Sequence, residues 1–106
     1  MFQSITVPCR VDFRMIPTHT LKEQTGRLDV LSATGCTILT HHRPAIGTIL
    51  ELRIALPDGE WPLRVEHAHV TGSQWDAFSV DFVSLPPRDK ARLHQYVRDA
   101  AALQRV

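Results

Sequence analysis

Val7, Cys9, Val11, Phe13 and Met15 alternate with Pro8, Arg10, Asp12 and Arg14, the period of two that turns one face of an extended chain inward and the other to water. This stretch is expected to be a strand that ends at Ile16-Pro17, followed by a loop or irregular hairpin from Thr18 to Gly26. Arg27 to Ser32 and Cys36 to Thr40 read as two short strands either side of a turn. From Thr48, Leu50, Leu52, Ile54 and Leu56 take one face and Glu51, Arg53 and Ala55 the other. Pro57-Asp58-Gly59 then fixes one dihedral and frees the next, so the chain reverses into Trp61, Leu63 and Val65. A further turn is expected at Thr71-Gly72-Ser73, before a last strand with Phe78, Val80 and Phe82 inward. After Pro86-Pro87 the period changes: Leu93, Tyr96, Val97, Ala100 and Leu103 recur at helical spacing. A proline in the first helical turn costs no hydrogen bond, so the pair marks a helix start.

Six consecutive strands with short connections exclude a parallel sheet, which needs crossover segments. The expected fold is mainly β: a six-stranded antiparallel barrel over about residues 4–83 and a C-terminal α-helix over about 86–103, in one domain spanning 1–106. The helix must cover its apolar stripe with the barrel's open end or with a partner chain.

Composition narrows the function more than the fold. The 106 residues suffice for a single core. Twelve Lys and Arg against eleven Asp and Glu leave a net charge of +1, without the basic excess of a duplex nucleic-acid binder. The two cysteines, Cys9 and Cys36, form no Cys-x-x-Cys pair and read as buried free thiols. The N-terminus lacks the basic start and apolar run of a signal peptide, and no stretch approaches membrane-spanning length, so a cytoplasmic protein without membrane insertion is expected.

The turn Ser32-Ala33-Thr34-Gly35 carries the most chemistry. Gly35 supplies a permissive backbone for the reversal, and Ser32 either donates to a phosphate or caps its own turn. In order along the chain, this turn, the segment Gly47-Thr48-Ile49-Leu50-Glu51-Leu52, the closing Phe78-Ser79-Val80-Asp81-Phe82-Val83 and the helix with Leu93 and Tyr96-Val97 resemble the PilZ family over nearly the whole chain. That resemblance implies a small barrel with a C-terminal helix and, as ligand, the bacterial second messenger cyclic di-GMP.

In the family, the ligand site joins an Arg-x-x-x-Arg element ahead of the first barrel strand to an Asp/Asn-x-Ser-x-x-Gly turn. The guanidinium groups form charge-assisted bonds to phosphate and guanine, and the Asp or Asn reads a guanine edge. Here Ser32 and Gly35 match, but Val30 stands in the reader's position. Asp29 is one residue away, on the opposite face of a regular strand, and only a bulge would bring it into place. Arg10 and Arg14 satisfy the arginine spacing inside the first strand, on its polar face with Asp12 between them. Aligned by strand pattern, the family's arginines fall at residues 1–6, which hold none. Arg10 and Arg14 therefore either clamp a phosphodiester or belong to a solvated face that Asp12 partly neutralises.

Other constellations point to less. His67 and His69 share a strand face, but a metal centre needs further ligands, with His41, His42 and Glu66 as candidates and Glu66 expected on the face opposite His67. Ser32 lacks a nucleophile elbow, Cys9 is expected to be buried and no carboxylate pair stands out, so catalysis and bound cofactors are not expected. Single-strand nucleic-acid binding needs exposed aromatics on a basic face, and too few are present. Trp61, Trp75 and Tyr96 are candidate partner contacts, and the alanine-rich helix end permits close approach of a second copy. The expected function is a PilZ-like bacterial regulatory or adaptor module that docks to a larger signalling, motility or surface protein, with weak or absent nucleotide binding. The alternative is a cyclic di-GMP receptor using Arg10, Arg14 and the Ser32–Gly35 turn, with Asp29 as a substitute reader.

Overall fold

A computed structural model describes residues 3–16, 23–59 and 61–104. Seven strands, β1 (Ser4–Thr6), β2 (Arg10–Met15), β3 (Gln24–Ser32), β4 (Gly35–Leu39), β5 (Ile49–Ile54), β6 (Leu63–Ser73) and β7 (Ala77–Ser84), precede one helix, α1 (Pro87–Gln104). Neighbouring strands run in the order β1-β3-β2-β5-β6-β7-β4, all paired antiparallel, and a further β3–β4 pairing closes β2 to β7 into a six-stranded barrel. The alternation predicts Val11, Phe13, Leu50, Leu52, Ile54, Leu63, Val65 and Phe78 inward, and they lie in the core, joined there by Leu28, Leu31 and Ile38 of the two strands around the turn. Phe13 and Phe78 meet edge to face, their ring centroids 5.2 Å apart.

The strand expected from Val7 begins only at Arg10, and a separate short strand, β1, precedes residues 7–9. Pro8 has no N–H to place in a ladder, and around it the chain shifts along β3: β1 pairs with Val30–Ser32 and β2 with Gln24–Arg27. Two backbone bonds carry the crossing, Val7 N–H to Asp29 C=O at 3.0 Å and Leu28 N–H to Cys9 C=O at 2.7 Å. Met15 points out and is 52% exposed.

β3 begins at Gln24, so the end of the expected Thr18–Gly26 loop is strand; residues 17–22 lie outside the described part. Pro57-Asp58-Gly59 is a turn, with Gly59 at φ +81°. Thr71-Gly72-Ser73 is not a turn. β6 continues through it with a register shift between Val70 and Gly72, and the reversal falls after it, where Gln74 N–H bonds Ala77 C=O at 2.8 Å. This glycine marks a bulge in a strand.

The helix stripe rests on the barrel, chiefly on β1 and β6. Leu93, Val97 and Ala101 are buried at i, i+4, i+8 spacing, while Leu103, expected in the stripe, is exposed. Near its start, Asp89 Oδ1 accepts the Arg64 backbone N–H at 3.1 Å. At its end, Gln104 Nε2 donates to Thr6 C=O at 3.3 Å. No helix among the described residues is long and apolar enough to cross a membrane.

Candidate functional site

The Ser32 hydroxyl is used by its own turn. Oγ accepts the backbone N–H groups of Thr34 at 3.2 Å and Gly35 at 3.1 Å and donates to Gly35 C=O at 3.2 Å, the Ser-centred turn that competes with any external acceptor. Gly35 does not take a left-handed φ. Its backbone freedom is not what the reversal draws on. Glycine is needed there because a Cβ would lie 2.3 Å from Val80 C=O on β7.

Immediately before the turn, β3 carries a bulge. Leu28 pairs with Ile38 and Leu31 with Cys36, three residues against two on β4. Leu28 and Leu31 are both buried, and Asp29 and Val30 between them are both partly exposed. The bulge thus cancels the face reversal expected of a one-residue offset, and Asp29 stands outside the barrel with Val30 and Ser32.

Arg10 and Arg14 both lie on the polar face of β2 with carboxylates of their own. Arg10 Nε bonds Asp12 Oδ1 at 2.9 Å, and the same oxygen accepts Thr25 Oγ1 at 2.9 Å. Arg14 Nη2 bonds Glu51 Oε2 at 3.0 Å. Glu51 sits opposite Arg14 on β5 and is the buried charged residue of this face, with Arg53 also 4.0 Å from it. Sequence spacing could not reveal Glu51 as a partner, because it is cross-strand register that joins it to Arg14. Arg10 pairs in register with Arg27, five residues before Ser32, so strand rise alone separates the arginine from the turn by roughly 16 Å. Arg14 is farther along the same strand. The strand beside the turn is β1, with Ser4 opposite Ser32 and Thr6 opposite Val30.

Two further expectations change. Register shifts around residues 65–68 of β6 put Val65 and Ala68 in the core and leave both Glu66 and His67 outside, so Glu66 does not point away from His67. Among the described residues, no group of three or more His, Cys, Asp or Glu side chains is placed to hold a metal ion. Trp61 and Trp75 are 54% and 87% exposed and flank the eleven residues of β6, one beyond each end. Tyr96 is half-buried against the core, and burial raises its phenol pKa, with smaller contributions from Cys9 and Asp58. The three do not form one patch.

Cys36 is buried, and desolvation, followed by the neighbouring Cys9, holds its thiol pKa well above the ordinary 9.0; burial alone raises that of Cys9. Thiol reagents are expected to label Cys9 slowly and Cys36 only on unfolding. An unfolded thiol ionises near pH 9 and the folded Cys36 does not, so the stability present below that pH is lost above it, by about 1.4 kcal/mol per pH unit. Urea unfolding between neutral pH and pH 10 should show the decline, shallower in Cys36→Ala.

The sequence model of the PilZ domain matches residues 4–99. No curated protein sequence matches the chain. Among solved structures, the fold is shared with the Bacillus subtilis inhibitor of motility MotI/DgrA, at TM-score 0.78 and 17% identity over 100% of this chain and 53% of that one. It is shared with the PilZ domain of CeSA from a cellulose-synthesizing bacterium, at TM-score 0.68 and 16% identity over 95% and 97%. Escherichia coli YcgR in complex with c-di-GMP matches at TM-score 0.70 and 14% identity over 98% and 46%. The chain spans about half the length of the MotI and YcgR chains and nearly all of the CeSA domain. Identities this low speak for the fold alone, but the sequence match runs through every strand and most of the helix, and on that ground the chain belongs to the PilZ domain family.

Proposed function

We propose that this PilZ domain is a non-catalytic adaptor in the bacterial cytoplasm, which regulates a larger motility, surface or signalling protein by contact and binds cyclic di-GMP weakly or not at all. The observation behind this reading is the separation of the family-spaced arginines from the Ser32 turn, each arginine neutralised by a neighbouring carboxylate. A phosphodiester at Arg10 or Arg14 would compete with the carboxylate of Asp12 or Glu51, and the Val30 side chain offers a guanine edge no hydrogen bond. The lost reader alone costs about 1–3 kcal/mol, roughly a ten- to hundredfold loss in affinity. The kinship in fold with a protein named as an inhibitor of motility favours a motility partner.

A second reading has one observation in its favour: the β3 bulge sets Asp29 on the outer face beside Val30, within the reach of a ligand lying on the turn. In that reading Asp29 reads guanine, Ser32 and the Gly35 backbone hold phosphate, and Arg10 and Arg14 leave their carboxylates for the ligand.

Calorimetric titration with cyclic di-GMP separates the two. No heat of binding at high micromolar ligand is expected. Micromolar or tighter binding that Arg10→Ala or Arg14→Ala abolishes would overturn the adaptor reading, and loss of the same binding in Asp29→Ala would establish the substitute reader.

A further inference from the structure

At the opposite end of β6 from Trp75, three arginines from two strands and the helix line one groove. Arg53 on β5 and Arg64 on β6 are register partners, and Arg88 comes from the first turn of α1. With Trp61, Pro62 and Pro86 they line an open groove of about 630 Å³. The Arg88 guanidinium lies over the Trp61 ring, 4.4 Å from its centroid. A cation–π contact of this kind holds the guanidinium at the ring while leaving its N–H groups able to donate to other acceptors. The groove has one acid among its described lining residues, Asp89, whose Oδ1 is already bonded to the Arg64 backbone N–H. Arg64 and Arg88 make no ion pair with any described residue, and the Arg53–Glu51 separation is a long 4.0 Å. The contrast with β2 is direct: Arg10 and Arg14 hold carboxylates at 2.9 and 3.0 Å, whereas Arg53 has one only at 4.0 Å and Arg64 and Arg88 have none among the described residues.

The geometry points to this groove as the docking site for an acidic segment of a partner protein, its carboxylates on Arg53, Arg64 and Arg88 and an apolar side chain against Trp61 and the two prolines. The proposal rests on the adaptor reading and gives its partner a chemistry. Charge complementarity selects the occupant. Arginine forks bind carboxylates in two parallel hydrogen bonds, and a partly desolvated Trp and Arg cluster is the make-up of an interface anchor. The net charge of +1 carries none of the overall basic excess that usually accompanies binding to a nucleic-acid backbone or an anionic membrane.

The test uses the whole 106-residue chain carrying Trp75→Phe, so that a single indole N–H resonance, that of Trp61, reports on the groove. Three probes are titrated: a short peptide of alternating glutamate and leucine, its lysine and leucine counterpart, and cyclic di-GMP. The acidic peptide is expected to shift the Trp61 resonance saturably, with binding weakened by added salt and reduced tenfold or more in Arg64→Glu plus Arg88→Glu, while Arg53→Gln gives a smaller loss. Circular dichroism verifies that each variant is folded. The proposal is overturned if the acidic peptide leaves Trp61 unmoved at millimolar concentration, if the basic peptide shifts it equally, if the charge reversals leave the affinity intact, or if cyclic di-GMP alone saturates the groove. Failure of the adaptor reading has a different signature, cyclic di-GMP shifting the amides of residues 29–35 with Trp61 unchanged.

Discussion

Gly35→Ala is expected to lower the stability of the domain by about 3 kcal/mol and its melting temperature by on the order of 15 °C. The added Cβ would stand 2.3 Å from the Val80 carbonyl oxygen, and real Cβ contacts stay beyond 3.0 Å. The atom in the way is backbone. It belongs to the β4–β7 ladder, in which Gly35 pairs with Asp81 and Cys36 with Val80, so it cannot rotate aside as a side-chain tip would. The two strands must separate by at least about 0.7 Å, at the point where Phe82 N–H also bonds Thr34 C=O at 2.8 Å. Gly72→Ala is the matched control. Its Cβ would make ordinary contact with Ser79 at 3.7 Å, and the lower backbone entropy of alanine in the unfolded chain should make the change neutral or slightly stabilising. Urea melts of both variants check the pair. Equal stabilities would show that close strand approach is not why a glycine stands at position 35.

Arg92→Ala is expected to cost about 2 kcal/mol and to loosen the start of α1 from the barrel. Arg92 grips Asp58 with both arms, Nη2 to Oδ1 at 2.7 Å and Nε to Oδ2 at 3.2 Å, and its third nitrogen donates to Trp61 C=O. The side chains are 15% and 27% exposed, so water competes only in part. Arg92→Lys keeps the charge without the fork and should lose about half as much. The variant has a second readout, because the same guanidinium holds the Pro57-Asp58-Gly59 turn and the Trp61 backbone together. Loss of the grip should shift the Trp61 indole resonance as well as the unfolding midpoint. A midpoint within 0.5 kcal/mol of the parent's would mean that the grip contributes no more than an ordinary surface ion pair.

The difference between Arg92 and Arg10 shows what spacing can and cannot convey. Arg10-Val11-Asp12-Phe13-Arg14 matches a ligand motif by count, yet the carboxylate for one arginine comes from two residues along and that for the other from a strand 37 positions later. Asp29 makes the same point in reverse. Counted along a regular strand it faces inward and cannot substitute for the missing reader, but the extra residue between Leu28 and Leu31 turns it out. Bulges are set by how two strands must meet, and β3 must serve β1 and β2 along one edge and β4 along the other. Arg53, Arg64 and Arg88 carry no signal in the sequence at all, because their convergence is a product of the β5–β6 register and the seat of the helix.

Alternation of period two and its change to helical spacing after Pro86 were enough to place most of the barrel strands, most inward residues of β2, β5 and β7 and the single closing helix, since both periods follow from backbone geometry that each segment has before it meets any other. The order of those segments sufficed for the family. Tertiary structure alone decided that the chain around Pro8 leaves the ladder between β1 and β2, that Gly72 bends a strand without ending it, that Gly35 is required by a neighbour's carbonyl, and which arginines have a carboxylate close by. Each of these depends on the atom that lies across from a residue, and a barrel closes that distance only after every register has been set.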